Sequence, residues 1–545
     1  MLVRSIAIGA LCGASVFAQV SAFPRASYFR ETFSRPVTKV ELKPPARLSD
    51  FVVGDKLELS LRSYLELVMA NNTDIAIQRL TVETAQNAIT RAFAPFDPLA
   101  TATFTNRRSK TPANDVLQGA QTVVQLSQPA DFRFTQTMQN GTQYNVQFLG
   151  QKVSSNSGFQ SFNPALTSNL AFNFTQPLLK NRGTYVNRLP LMSARSKYRT
   201  AEYNLRDNLL RLLSDAENAY WDLVLARENL KVQESALQLN GEALKRAQRE
   251  LELGALSPLD IYQPQQVYAT SEIAVSQARF LLKQREDAAR KQIGADLDPR
   301  MRNLPIELTE TVMPPTDSSP VDAEAEAQKA LLNRPDLKAA VQTLDTDDLG
   351  IKSAQNGLRP DLSLTGGYTS QGRGGTFFQR ENVFGRSTLV GTVPGGFGDA
   401  LDQLFGFGFP VYSFGLTLRL PIRNRAAAAD LADALVAKRR DALQVRNTEQ
   451  TVRLDVLNAV NQVESSKASV KLALTALEFA RKYKDAEEKK YELGTSQIYF
   501  VLQAQQALVS AESAVVTNAV GYRRNVLNLL RRTGELLDVR GIVVQ

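Results

Sequence analysis

The chain has 545 residues, of which 43% are hydrophobic and 22% charged, the composition of a folded protein. It has no histidine and a single cysteine, Cys12, which excludes imidazole catalysis, most zinc sites, internal disulfides and CxxC motifs. The formal net charge of +9 is modest for this length, and Lys and Arg are interspersed with Asp and Glu, so the charges read as solvated helix faces with no nucleic acid partner.

In chain order, residues 1–22 read as a secretory signal. Arg4 supplies the positive start, Ser5 to Val20 is apolar, and Val20-Ser21-Ala22 offers cleavage after Ala22, with Val16-Phe17-Ala18 a competing site. A retained anchor is the rival reading, against which the stretch is short and no stop-transfer pattern follows. Leu11 before Cys12 speaks against a lipoprotein signal, which needs a small residue there. Residues 23–56 form an N-terminal extension. No later stretch has 18 consecutive apolar residues, so no helical span is expected, although an exported chain can still enter a membrane as a β-barrel.

Residues 55–94, 191–253 and 422–493 have helical composition. The second is roughly 95 Å long at about 1.5 Å per residue, and residues 426–493 of the third roughly 100 Å. Leu209, Ala216, Leu223, Leu230, Leu237, Leu244 and Leu251 recur every seven residues, as do Val456, Val463, Val470, Leu477 and Tyr491 with Lys484 as an interruption. Such a repeat predicts left-handed supercoiling against neighbouring helices.

An internal repeat is more specific. Glu252-Leu253-Gly254 returns as Glu492-Leu493-Gly494, and Gln263, Gln265, Gln266 and Glu272 return as Gln503, Gln505, Gln506 and Glu512 without a gap. Upstream, Asn71, Asp74 and Pro98 match Asn333, Asp336 and Pro360. The organisation is therefore repeat 1 at residues 57–300, a Pro-, Asp- and Ser-rich linker at 301–321, repeat 2 at 322–537 and a C-terminal tail at 538–545.

Each repeat inserts extended segments before its long helix. Tyr144, Val146 and Phe148 alternate with Gln143, Asn145 and Gln147; Leu170, Phe172 and Phe174 alternate with Asn169, Ala171 and Asn173; Phe414, Leu416, Leu418 and Leu420 mark a third run. This is the period of strands with one apolar and one wetter face. Asn140-Gly141 signals a hairpin. The regions 366–408 and 154–163, rich in Gly, Asn and Ser, read as long loops. One chain then offers about four to six strands, too few for a single-chain barrel, so closure in lipid would need several copies.

The order helix, strands, long helix, turn, helix, given twice after a signal, resembles the TolC-like outer-membrane efflux proteins over residues 57–538. The local marks are Phe174-Thr175-Gln176-Pro177-Leu178-Leu179, Gly415-Leu416-Thr417-Leu418-Arg419-Leu420-Pro421-Ile422, Ala219-Tyr220-Trp221-Asp222-Leu223 and the two Glu-Leu-Gly turns. The resemblance implies an α+β membrane protein: a homotrimer sharing a β-barrel of 12 strands in outer-membrane lipid, 18 being the minority reading, joined to a periplasmic coiled-coil barrel. The hairpin at Asn140-Gly141 goes beyond the two strands per repeat usual in the family and would extend the extracellular side or add barrel strands.

On this reading Gly254, Ala255, Leu256 and Ser257, with Gly494, Thr495 and Ser496, form periplasmic tips facing an adaptor protein, and an inner-membrane pump supplies the energy. Ser257 is expected to cap the following helix, with Pro258 first in it and Asp260 near its positive end. Phe500 and Gln503 stand where the family often places entrance carboxylates, so Asp260, Tyr499, Phe500 and Gln503 become the entrance candidates, closing it by aromatic packing and hydrogen bonds. Tyr499 and Phe500 read equally well as buried hairpin packing. The expected function is the passive exit duct of a tripartite efflux system, with a type I protein-secretion outlet or a poreless periplasmic coiled-coil scaffold as alternatives. No enzyme activity, cofactor or metal is expected: Asp347-Asp348 and Glu487-Glu488 fall on helical faces, and no phosphate-binding glycine loop is present.

Overall fold

The computed structural model describes residues 45–113, 118–158, 160–313, 320–381 and 388–542. The expected signal at 1–22 lies outside the described residues, as do 23–44 of the extension, 314–319 of the linker and 543–545 of the tail. The first repeat contains β1 (Lys56–Leu59), α1 (Leu61–Asn71), α2 (Thr73–Arg91), β2 (Leu99–Phe104), β3 (Arg107–Pro112), β4 (Thr122–Thr137), β5 (Gln143–Ser155), β6 (Phe162–Pro177), α3 (Leu189–Glu252) and α4 (Tyr262–Gln292). Then follow β7 (Ile306–Leu308), α5 (Ala323–Asn333), α6 (Pro335–Gly357), β8 (Asp361–Glu381), β9 (Thr388–Val393), α7 (Phe397–Phe405), β10 (Pro410–Arg419), α8 (Arg425–Glu492) and α9 (Ile498–Thr533).

The helical block expected at 55–94 divides into three. Leu57 and Leu59 are buried while Lys56 and Glu58 are exposed, the period of a strand, and β1 pairs in parallel with β7. Ser60 and Ser63 cap α1 reciprocally, and the Asn72 side chain caps α2 through the N–H groups of Asp74 and Ile75. The two long helices run unbroken for 64 and 68 residues. α3 packs on α2, α4, α6 and α9, and α8 on α5, α6 and α9, so each long helix has lateral partners along its length. The heptad positions Leu209, Ala216, Leu223, Val456, Val463 and Val470 are buried. At the interruption, Lys484 is neutralised by Glu488 at 2.9 Å and Asp485 at 3.3 Å.

The main apolar core lies where α1, the middle of α3, and the ends of α4 and α9 meet, and it includes Tyr64, Leu209, Leu213, Tyr220, Trp221, Ile293 and Leu527. The linker is part of it: Met301, Ile306, Leu308 and Val312 pack there. The tail is tied in as well, since its Ile542 packs against the same cluster, next to the buried Leu537 that ends repeat 2. Both segments had composition that hid their few apolar anchors.

The remaining strands form one antiparallel sheet with six positions side by side: β2 and β3 end to end, then β4, β5, β6, β8, and finally β10 with β9 beyond it. Four positions per chain would make the expected 12-stranded trimer; the hairpin of β4 and β5 lies inside the sheet and adds two. The region 366–408, expected as loop, is mostly ordered as β8, β9 and α7. Its glycines are what hid it. Added side chains at Gly366, Gly372 and Gly374 would collide with the Phe174 ring, the Ala400 carbonyl and the Gly396 carbonyl respectively. α7 therefore lies with its backbone directly on the sheet, accepting hydrogen bonds from Ser168 Oγ to the Ala400 oxygen at 2.7 Å and from Ser370 Oγ to the Leu404 oxygen at 2.6 Å.

The register puts opposite chemistries on the two faces. Across all six positions run Ala100, Phe134, Val146, Phe172, Tyr368 and Tyr412 on one face, and Leu99, Thr135, Asn145, Asn173, Gly367 and Ser413 on the other. Among the described residues, no helix is long and apolar enough to cross a membrane.

Candidate functional site

α3 with α4, and α8 with α9, make two helical hairpins whose turns carry the expected tip residues. Gly254 and Gly494 take φ of 71° and 72°, a left-handed conformation that favours glycine. The N–H of Gly254 donates to the Leu251 oxygen and that of Gly494 to the Tyr491 oxygen, both at 3.0 Å; Ala255 donates to Glu250 at 2.8 Å and Thr495 to Lys490 at 2.9 Å. These bonds repeat from one turn to the other, satisfying carbonyls that a helix end leaves open; the Glu250 oxygen also accepts from Leu256 N–H at 3.2 Å, and the Lys490 oxygen from the Thr495 hydroxyl at 3.0 Å. Leu256 packs toward the apolar cluster between the hairpins. Ser496 Oγ donates to Glu487 at 3.0 Å, folding the second turn back on its own helix.

Ser257 does not cap α4. It organises a separate turn, accepting from Leu259 N–H at its hydroxyl (3.4 Å) and from Asp260 N–H at its carbonyl (3.0 Å). The helix begins only at Tyr262, after Ile261 has been drawn into the apolar cluster. Pro258 is therefore in this turn rather than first in the helix, and Asp260 is exposed on it.

Just above the turns, Ala247, Ile261, Ile498 and Leu502 form a buried node joining the two hairpins, with Leu244, Leu251, Val267 and Tyr491 around it. A polar link lies beside it. The Tyr491 hydroxyl donates to the Glu250 carboxylate, the Arg246 guanidinium sits 5.5 Å from the Tyr491 ring centroid, and Arg246 Nη2 is 3.5 Å from Glu492. Burial, then the hydrogen bond to Glu250, hold the Tyr491 phenol well above its ordinary value, so it remains a donor. Hydrogen bonds from Lys490 and then Ser496 hold Glu487 below the usual carboxylate value.

Of the entrance candidates, Tyr499, Phe500 and Gln503 share an exposed side of α9, while Ile498, Val501, Leu502, Ala504 and Gln505 are buried. The Tyr499 and Phe500 rings meet edge-on at 5.2 Å, yet remain 48% and 43% exposed, so packing within their own hairpins does not absorb them. In sequence Tyr491 reads only as a heptad seam position and Glu487 as part of a solvated helical face, and neither Glu250 nor Arg246 is singled out; Glu487 is instead buried at 7% exposure. A signal was available: Glu250 and Lys490, like Leu251 and Tyr491, occupy equivalent positions before the two matched glycines.

At the opposite end of the long helices, the polar sheet face carries its own network. Gln147 Nε2 donates to Asp131 at 2.8 Å, Gln151 Nε2 to Ser127 at 3.1 Å, and Asn173 Nδ2 to Asn145 at 3.1 Å. The other face exposes Phe132, Phe134, Phe172, Tyr412, Phe414, Leu416 and Leu418 to the surroundings. The sheet thus has one polar and one apolar side, and it is continued by helical hairpins roughly 95 Å long at about 1.5 Å per residue.

Residues 327–535 match the family model described as outer membrane efflux protein. The antibiotic efflux pump outer membrane protein ArpC of Pseudomonas putida is 20% identical over 62% of this chain and 63% of its own. The outer membrane efflux protein BepC of Brucella suis biovar 1 is 24% identical over 57% of this chain and 61% of its own. The chain thus spans less than two thirds of the length of these relatives. The crystal structure of the Campylobacter jejuni CmeC outer membrane channel has the same fold, with a TM-score of 0.60 at 18% identity over 90% of this chain and 87% of that one. Sequence match, relatives and fold agree: residues 327–535 match the outer membrane efflux protein family, and the chain as a whole resembles its members in sequence and fold.

Proposed function

We propose that the chain is the outer-membrane channel of an efflux pump, a passive duct assembled from three copies. The observation that carries this reading is the sheet register, which keeps aromatic and aliphatic residues in line on one face and mainly polar residues in line on the other. The apolar face suits outer-membrane lipid, the polar face a water-filled lumen. A poreless periplasmic scaffold has no use for the first. Efflux is favoured over a protein-secretion outlet by the relatives ArpC and BepC, both named for efflux.

The helical part supports several copies. Leu435, Val436, Leu443, Leu454 and Leu472 are all more than half exposed along α8, an apolar content that neighbouring copies would cover. The repeats at 57–300 and 322–537 then supply equivalent portions of each wall, with a signal at 1–22 directing export. The tips at Gly254–Ser257 and Gly494–Ser496 would meet a periplasmic adaptor, and an inner-membrane pump would deliver substrate. Asp260, Tyr499, Phe500 and Gln503 would line the entrance, with the Tyr499–Phe500 pair narrowing it.

The test is planar-bilayer conductance of the detergent-purified protein with its oligomer mass measured in parallel. A conducting trimer is expected. A monomer without conductance would overturn the reading. In the same recordings Phe500→Ala is expected to raise open probability; an unchanged value would remove Phe500 from the gate.

A further inference from the structure

We infer that the barrel has eighteen strands, with the β4–β5 hairpin built into its wall. The inference rests on the trimeric channel proposed above. The hairpin occupies the interior of the sheet, paired with β2 and β3 on one side and with β6 on the other. The β4–β5 ladder runs from Gln125 opposite Ser155 to Thr137 opposite Gln143, and the β5–β6 ladder from Gln143 opposite Thr175 to Val153 opposite Ala165.

Three features argue against the hairpin being an extracellular extension. Its two faces continue those of its neighbours: Phe132 pairs with Phe148 and Phe148 with Leu170 on the apolar side, while Arg133 pairs with Gln147 on the polar side. Phe132 is 53% exposed on the apolar face, as a lipid-facing residue would be. The turn joining β4 to β5 also lies at the helical end of the sheet. Gly183 N–H donates to the Asn140 oxygen at 3.2 Å, and Thr142 bonds to Gln176 at the foot of β6. Gly141 takes φ of 92° and fits closely against Asn181, Asn187 and Pro177, so the Asn-Gly turn is seated in the junction between sheet and helices.

The sheet still ends in two edges within one chain, the β2–β3 line and β10. Unpaired backbone groups are not viable in lipid, so each edge must pair with the opposite edge of another copy. Six positions from each of three copies close a barrel of eighteen. Barrel diameter grows roughly in proportion to strand number, so this barrel would be about 1.5-fold wider than a twelve-stranded one. β4 and β5 lead into no long helix, and the added width is therefore confined to the membrane end.

Cryo-electron microscopy of the full chain in lipid nanodiscs counts the strands directly. Eighteen strands with β4 and β5 in the wall are expected. A trimer with twelve strands and the hairpin outside would overturn this inference and leave the channel reading standing; absence of a trimer would overturn both. A second measurement needs no map. Phe132→Trp places a fluorophore on the apolar face, whereas the native Trp221 is only 3% exposed in the helical core. Acyl-chain-brominated phosphatidylcholine vesicles are expected to quench the added emission but not that of the unsubstituted protein. Lack of quenching would remove the hairpin from the lipid-facing wall.

Discussion

Arg540 grips Glu217 through two hydrogen bonds, Nη2 to Oε1 at 2.5 Å and Nε to Oε2 at 3.1 Å, across 323 residues of sequence. Glu217 is 1% exposed and also accepts from Trp221 Nε1 at 3.3 Å. Removing the guanidinium leaves a buried carboxylate with one weaker partner, so Arg540→Ala is expected to cost about 3 kcal/mol. Arg540→Met combined with Glu217→Gln is expected to cost less than the single change, because no buried charge is stranded. Denaturant midpoints of the detergent-solubilised variants check the order; a single change no worse than the double would refute it.

The Tyr491–Glu250 bond joins two hairpins held at this level also by the Arg246–Glu492 ion pair and by the small node of Ala247, Ile261, Ile498 and Leu502. A hydrogen bond to a charged acceptor contributes about 1.5–3 kcal/mol. Tyr491→Phe keeps the ring and the Arg246 stack but removes the bond. It is expected to loosen the tips, read as faster tryptic cleavage after Arg246 or Arg249 and longer open times in bilayer recordings. Unchanged cleavage and gating would mean that the apolar node and the Arg246–Glu492 pair hold the tips without the Tyr491 bond.

Glu487 gives the second turn a pH dependence of definite sign. Its carboxylate is held below the ordinary value of 4.5 by bonds from Lys490 and Ser496. That support is complete above the ordinary value and is lost as the pH falls through the lowered one. Hydrogen exchange in residues 490–496 is expected to rise on acidification below about pH 4.5, relative to that expected from pH-dependent chemistry alone. Glu487→Gln is expected to remove this added dependence; an identical profile in the variant would assign the effect to other groups.

α7 depends on glycine beneath it. A side chain at Gly372 would overlap the Ala400 carbonyl, whereas one at Gly398, on the exposed side of α7, meets nothing within 4 Å. Gly372→Ala is expected to lift α7 from the sheet and speed proteolysis between residues 393 and 410. Gly398→Ala is expected to leave the rate unchanged or lower, since alanine favours helix by roughly 1 kcal/mol over glycine. Equal rates in the two variants would contradict the close seating of α7.

Periodicity made much of this legible. The long helices, the faces of β5, β6 and β10 and the tip turns all follow from repeats of seven, of two and of 240 in the residues themselves. What stayed hidden depended on contacts distant in sequence. Gly366, Gly372 and Gly374 look like loop composition until Phe174 and α7 are seen filling the space they leave. Ile306 and Leu308 look like linker until β1 is beside them. Tyr499 and Phe500 are equally open in sequence to closing the entrance or to buried hairpin packing, and within one chain the course of α9 leaves their rings 48% and 43% exposed.

The 64 and 68 residues of α3 and α8 act as a pair of matched rulers. Each added residue advances a helix by about 1.5 Å and turns all that follows by about 100°. A single insertion midway along α3 would thus hardly alter its reach but would swing Glu250 away from Tyr491 and the heptad leucines out of their seam. Loops between the strands can gain or lose residues without such a penalty. The two repeats would therefore be free to diverge at the membrane end while remaining locked in phase from the junction to the tips.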